Sequence, residues 1–178
     1  LHIIHGYNEP FLSLSNLYSR ALQAAGWRVT AVYLTGAADN EIRAQTVADD
    51  VIFFDTPDSA MKGLKAGLLL RVRKLLTANT QLIIAQRYKP LYLALIASIG
   101  RDIPVLGVAH AFGVLKSAKR RRLLHFFSSR LVLAGVSDAV SGDMRKHDNT
   151  LRIVTLHNGI DVAAREPQLL TRTAARKK

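Results

Sequence analysis

Five short stretches hold most of the side chains in this chain that could do chemistry, and each follows an apolar run. They are His5-Gly6-Tyr7-Asn8-Glu9, Gln86-Arg87-Tyr88-Lys89, His110-Ala111-Phe112-Gly113, Gly135-Val136-Ser137-Asp138 and His157-Asn158-Gly159-Ile160-Asp161. Arg87 and Lys89 place two cations two residues apart, which suits a phosphorylated or acidic group. Asn158-Gly159 reads alone as an ordinary turn, since both residues tolerate positive φ. A further run, Lys116 with Lys119-Arg120-Arg121-Arg122, opens a segment that ends in Leu and Phe. Four adjacent like charges repel unless an acidic surface is near, and anionic lipid headgroups or a phosphorylated acceptor would satisfy them.

Several chemistries are disfavoured. The first loop has one glycine, Gly6, where a dinucleotide fingerprint needs three, and no Gly-Lys-Ser/Thr phosphate loop occurs. No Gly-x-Ser-x-Gly elbow is present. The histidines at 2, 5, 110, 125, 147 and 157 show no metal-ligand spacing, so no metal is expected. The chain has no cysteine, which excludes disulfides and thiolate metal sites. Its net charge of +12 implies an acidic partner surface. No apolar run approaches the length of a membrane span. RNA or DNA is disfavoured as partner, because the basic segment lacks interleaved aromatics and no nucleic-acid module is recognisable.

The elements that must position these stretches alternate. With 178 residues, 49% of them hydrophobic, the chain can bury a full core. Apolar β-branched runs predict strands at 1–5, 28–34, 51–54, 81–85, 104–110, 131–134 and 153–156, the last a short buried strand. Helical spacing predicts helices from Pro10 to Gly26 (apolar face Phe11, Leu14, Leu17/Tyr18, Ala21/Leu22, Ala25), and about Leu64–Leu76, Pro90–Ile99, Lys116–Ser129 and Ser137–Lys146. Asp55-Thr-Pro-Asp58 reads as a turn and helix start, 35–49 as loop with a short helix, and Ser137 as an N-cap. Strand, helix and strand within some 35 residues is a βαβ unit, and strands apolar throughout are expected where helices cover both faces. The fold class is therefore a doubly wound, mainly parallel α/β sheet, with all five stretches at its carboxyl edge. Strand order does not follow from the sequence. The chain is expected to have lost a short leader.

Together, Val108-Ala-His110, Leu133-Ala-Gly-Val-Ser137-Asp-Ala-Val140 and Ile153-Val-Thr-Leu-His-Asn158-Gly159-Ile160-Asp161 resemble the N-terminal, acceptor-side half of a family 4 glycosyltransferase of the GT-B fold. The opening strand, loop and helix, followed by Gly26-Trp-Arg-Val-Thr-Ala-Val32, are similar to that half as well. The resemblance implies a Rossmann-like domain over 1–161 and a basic linker or tail over 162–178. It also implies retaining sugar transfer from a nucleotide sugar to a glycan or lipid-linked acceptor, lipopolysaccharide core or similar, without a metal or other cofactor. By the same resemblance, His110 lines the cleft near the reacting sugar, and Gly6 with Tyr7 lies on the loop facing donor phosphate. Arg87 and Lys89 fall where the acceptor docks, and Ser137, Asn158, Gly159 and Asp161 border the interdomain cleft. The family often has a Gly-Gly pair where this chain has Gly6-Tyr-Asn-Glu-Pro10. The C-terminal donor-binding domain is expected to be missing from these 178 residues, which alone are then expected to be inactive. Lys116, Lys119, Arg120, Arg121 and Arg122 are expected to hold the enzyme peripherally at the cytoplasmic face of the inner membrane. The rival readings are a non-catalytic α/β module docking on an acidic partner and a nucleic-acid binder.

Overall fold

The computed structural model describes residues 1–57, 66–160, 162 and 176. Its strands are β1 (His2–Ile4), β2 (Thr30–Thr35), β3 (Asp50–Thr56), β4 (Ile83–Gln86), β5 (Val105–Ala109), β6 (Leu131–Gly135) and β7 (Ile153–Thr155). They form one sheet in the order β3-β2-β1-β4-β5-β6-β7, every neighbouring pair parallel. The helices are α1 (Phe11–Ala24), α2 (Asn40–Gln45), α3 (Ala66–Leu75), α4 (Tyr88–Ala97), α5 (Ala118–Phe126) and α6 (Asp138–His147). A doubly wound α/β domain is what the alternation predicted. Winding reverses between β1 and β4, and that reversal opens a crevice at their carboxyl ends.

Both faces are covered, unequally. On one, Ile3, Val32, Ile83, Ala85, Val105 and Leu133 pack against Val72 of α3, Leu91 of α4, Leu124 of α5 and Met144 of α6. On the other, Ile4, Ala31 and Tyr33 pack on Leu12 of α1, with Ile42 of α2 alongside. The close approach of α6 to the sheet explains Gly135, where an added Cβ would lie 2.6 Å from the Ser141 backbone nitrogen. Gly107 serves α4 similarly, because a Cβ there would meet the Leu91 methyls at 2.8 and 2.9 Å.

Three expectations need correction. Residues 153–156 are not a buried strand: Val154 is 38% and Leu156 39% exposed. Among the described residues β7 is an edge strand paired with β6 alone, and a terminal strand has one neighbour to cover it. The buried face of α1 carries Leu12, Leu14, Ser15 and Ser19, whereas Ala21 and Ala25 are exposed. The serines can be buried because their needs are met locally: Ser15 Oγ donates to the Leu12 carbonyl at 2.8 Å, and Ser19 Oγ lies 3.4 Å from His2 Nδ1. Finally, α4 begins at Tyr88 rather than Pro90, so that Gln86 belongs to β4 and is fully buried. Pro90 is tolerated in the first turn, where no intrahelical N–H bond is lost. Asp58, Gly63 and Leu64 lie outside the described residues.

Candidate functional site

The carboxyl edge brings His5, Arg87, Lys89 and His110 to one cavity of about 280 Å³. His110 follows β5 directly and meets Phe11, the first residue of α1, edge to face with ring centroids 5.4 Å apart. Its Nε2 is buried and has no hydrogen-bond partner among the described residues. Burial, reinforced by the charge on Arg87, pushes its pKa down to about 4. The imidazole is thus neutral at pH 7.

Arg87 approaches from the next strand. Its backbone is at φ 75° and ψ 164°, a region nearly reserved for glycine that costs about 1–3 kcal/mol. Two hydrogen bonds hold it there: Arg87 N donates 2.8 Å to the Val108 carbonyl, and its own carbonyl accepts from Leu91 N at 3.2 Å. This geometry sets the guanidinium 5.1 Å from the Phe11 ring centre. Phe11 therefore touches both Arg87 and His110, a linking role that its helical spacing alone does not reveal.

Beneath the crevice runs a buried polar chain that sequence reading passed over. Gln86 Nε2 donates to His2 Nε2 at 2.9 Å, which leaves His2 Nδ1 to face Ser19. Complete burial lowers the His2 pKa to about 3. Gln86 Oε1 and the Tyr18 hydroxyl are also buried, without hydrogen-bond partners among the described residues. No pattern marks a strand-end glutamine as internal, so only the register exposes it.

Gly6 and Tyr7 lie apart from His110. With Asn8, Thr35, Gly36, Thr56 and Pro57 they border a second cavity of about 200 Å³, at the ends of β1, β2 and β3. Tyr7 packs edge-on against Tyr33 and Phe53 and donates its hydroxyl to the Ala37 carbonyl at 3.1 Å. A Cβ on Gly6 would stand 2.9 Å from Thr35 Oγ1, so glycine there lets β1 and β2 close at their ends. Ser137 is engaged in structure: its Oγ accepts the Val140 N–H at 3.2 Å and caps α6, as expected of it. Asn158 and Gly159 are exposed beyond β7, and a Cβ on Gly159 would come within 3.6 Å of Leu17 on α1. The chain thus turns from β7 back toward the helix that carries Phe11. Asp161 lies outside the described residues, as does most of the 162–178 tail.

The basic run divides. Lys116, Lys119 and Arg122 are exposed, but Arg120 and Arg121 are half-buried. Arg121 Nη1 donates to the carbonyls of Leu115 at 2.7 Å and Lys116 at 3.0 Å. Arg120 lies 4.3 Å over the Tyr88 ring and borders the His110 cavity. Four consecutive residues span most of a helical turn, so they cannot all face solvent. A larger cavity, about 890 Å³, sits at the opposite edge around Trp27, Arg28 and Asp50, where strands begin and none of the five stretches reaches. Among the described residues, no three His, Cys, Asp or Glu side chains gather as a metal site.

A parallel sheet wound 3-2-1-4-5-6-7, with its polar crevice at the carboxyl edge, is the Rossmann-like arrangement of one half of a GT-B fold. Residues 17–164 match the family described as Glycosyltransferase Family 4, and the chain belongs to that family. No curated protein matches it. Of the stretches compared above, those at 87–89, 110, 137 and 158–161 fall inside the matched span, while Gly6, Tyr7 and Phe11 precede it.

Proposed function

We propose that this chain is the acceptor side of a retaining, metal-independent glycosyltransferase. It takes sugar from a nucleotide donor and passes it to a glycan or lipid-linked acceptor of the lipopolysaccharide-core type. The observation that carries the reading is His110: a neutral imidazole with a buried, unpartnered Nε2 at the crevice of a family 4 chain. A buried polar atom left unpaired costs free energy, and a turn of the ring that brings it to a bound sugar hydroxyl would recover that cost. Arg87 and Lys89 border the same cavity and suit an acidic acceptor. Ser137, Asn158 and Gly159 border the approach to a donor-binding partner domain, a role the same reading gives to Asp161 in sequence, and Gly6 with Tyr7 lies on the side from which donor phosphate comes.

The reading needs a second domain to hold the nucleotide, since sugar and acceptor must be fixed together for transfer. The 178-residue chain alone is expected to give no turnover. Exposed Lys116, Lys119 and Arg122, beside Phe112 at 65% and Phe126 at 76% exposure, support peripheral attachment at the inner membrane. No described helix is long and apolar enough to cross a membrane. The test is transfer by the enzyme with a donor domain present. Product keeping the donor's anomeric configuration, at a rate unchanged by a metal chelator, is expected. Inverted product, or a rate abolished by chelation and restored by a divalent metal, would contradict the mechanism.

A further inference from the structure

The His110 cavity carries more positive charge than sugar recognition requires. Arg87 and Lys89 enter from the start of α4, and Arg120 reaches in from α5, far away in sequence. Among the described residues no carboxylate borders the cavity, and none of the three cations forms an ion pair there. Like charges held together without a counterion repel, and the repulsion is relieved when an anion binds between them. Arg120 is held inward by its contact with Tyr88 and a 3.4 Å bond to the Val114 carbonyl, instead of extending into solvent like Lys119. The α4 N-terminus adds the Tyr88 and Lys89 N–H groups, which have no acceptor within the helix.

We propose that Arg87, Lys89 and Arg120 form a binding site for a phosphate monoester carried by the acceptor sugar, so that the enzyme selects an acceptor already phosphorylated. A kinase-type phosphorylation must then precede this transfer. A phosphoryl group carries about two charges and three acceptor oxygens, which three cations and a helix N-terminus can match. A carboxylate has fewer of both. The proposal rests on this edge being the acceptor side, but its test does not depend on turnover.

The chain is titrated with glucose 6-phosphate, glucuronate and glucose, with binding followed by amide chemical shifts. Glucose 6-phosphate is expected to bind at least about tenfold more tightly than glucuronate, and more tightly still than glucose. Arg120→Gln and Lys89→Gln are each expected to weaken the phosphate ligand by about tenfold. Arg120→Lys should recover part of the loss, while Lys146→Gln, at an exposed position of α6, should have no effect. Melting temperatures without ligand show that the variants are folded. Equal binding of phosphate and carboxylate, or undiminished phosphate binding in folded Arg120→Gln, would overturn the site. A site that binds phosphate in an enzyme that transfers no sugar would instead count against the acceptor reading.

Discussion

At the scale of residues, protonation divides the histidines by their surroundings. His2 and His110 both have pKa values below the ordinary 6.5, at about 3 and about 4, with burial the larger cause in each. As pH falls below about 6.5, the unfolded chain takes up these protons before the folded one does. Their contribution to stability is thus present above that pH and lost as pH falls through the folded values. The melting temperature should drop between about pH 6 and pH 4, and His2→Asn should flatten that drop. A wild-type profile no steeper than that of His2→Asn would contradict the buried neutral state. Catalysis should follow the same sign, with any acid limb set by His110 lying near pH 4 instead of 6.5. Ser137 is read here as a cap. Ser137→Ala should cost about 1 kcal/mol of stability and Ser137→Asp should restore it, because both Ser and Asp accept the N-terminal N–H. Destabilisation by Asp equal to that by Ala would deny the capping role.

At the scale of elements, alternation of apolar runs with helical spacing made the fold class legible, and Gly26 marked a helix end that the structure places at φ 81°. Strand order was not legible, because periodicity records what a segment buries and not which neighbour buries it. The same limit explains β7: Ile153-Val-Thr-Leu156 has a core composition, yet edge position leaves Val154 and Leu156 partly exposed. Polar groups inside the core misled in the other direction. Ser15, Ser19 and Gln86 look like solvent-facing residues until His2 and the Leu12 carbonyl supply their partners. For the site, His110, Arg87 and Lys89 were legible as strand-end residues, whereas Phe11 and Arg120 required tertiary contacts to be seen. Packing of α6 against β6 gives a direct check on the architecture. Gly135→Ala would force its Cβ onto the Ser141 backbone and should lower stability by about 1–3 kcal/mol. An unchanged melting temperature would mean that α6 sits farther from the sheet.

At the scale of the whole molecule, positive charge is divided between inward and surface positions. Arg120 and Arg121 are drawn inward, one to the cavity and one to backbone carbonyls, while Lys116, Lys119 and Arg122 remain on the surface. Flotation with vesicles containing anionic lipid should be lost in the triple variant Lys116→Ser, Lys119→Ser, Arg122→Ser, whereas Arg121→Ser should lower the melting temperature instead. Undiminished flotation of the triple variant would remove these residues from membrane binding. Family membership and the crevice between β1 and β4 both point to sugar transfer, and the proposed acceptor site lies in that crevice. The most direct measurement is sugar transfer by the enzyme with its donor-binding domain, comparing wild type with His110→Ala. The expected result is a loss of turnover of about a hundredfold or more with the fold intact, in the range for removing a positioned catalytic group. Turnover by His110→Ala within a fewfold of wild type would contradict the assignment of this crevice as the place where the sugar is transferred.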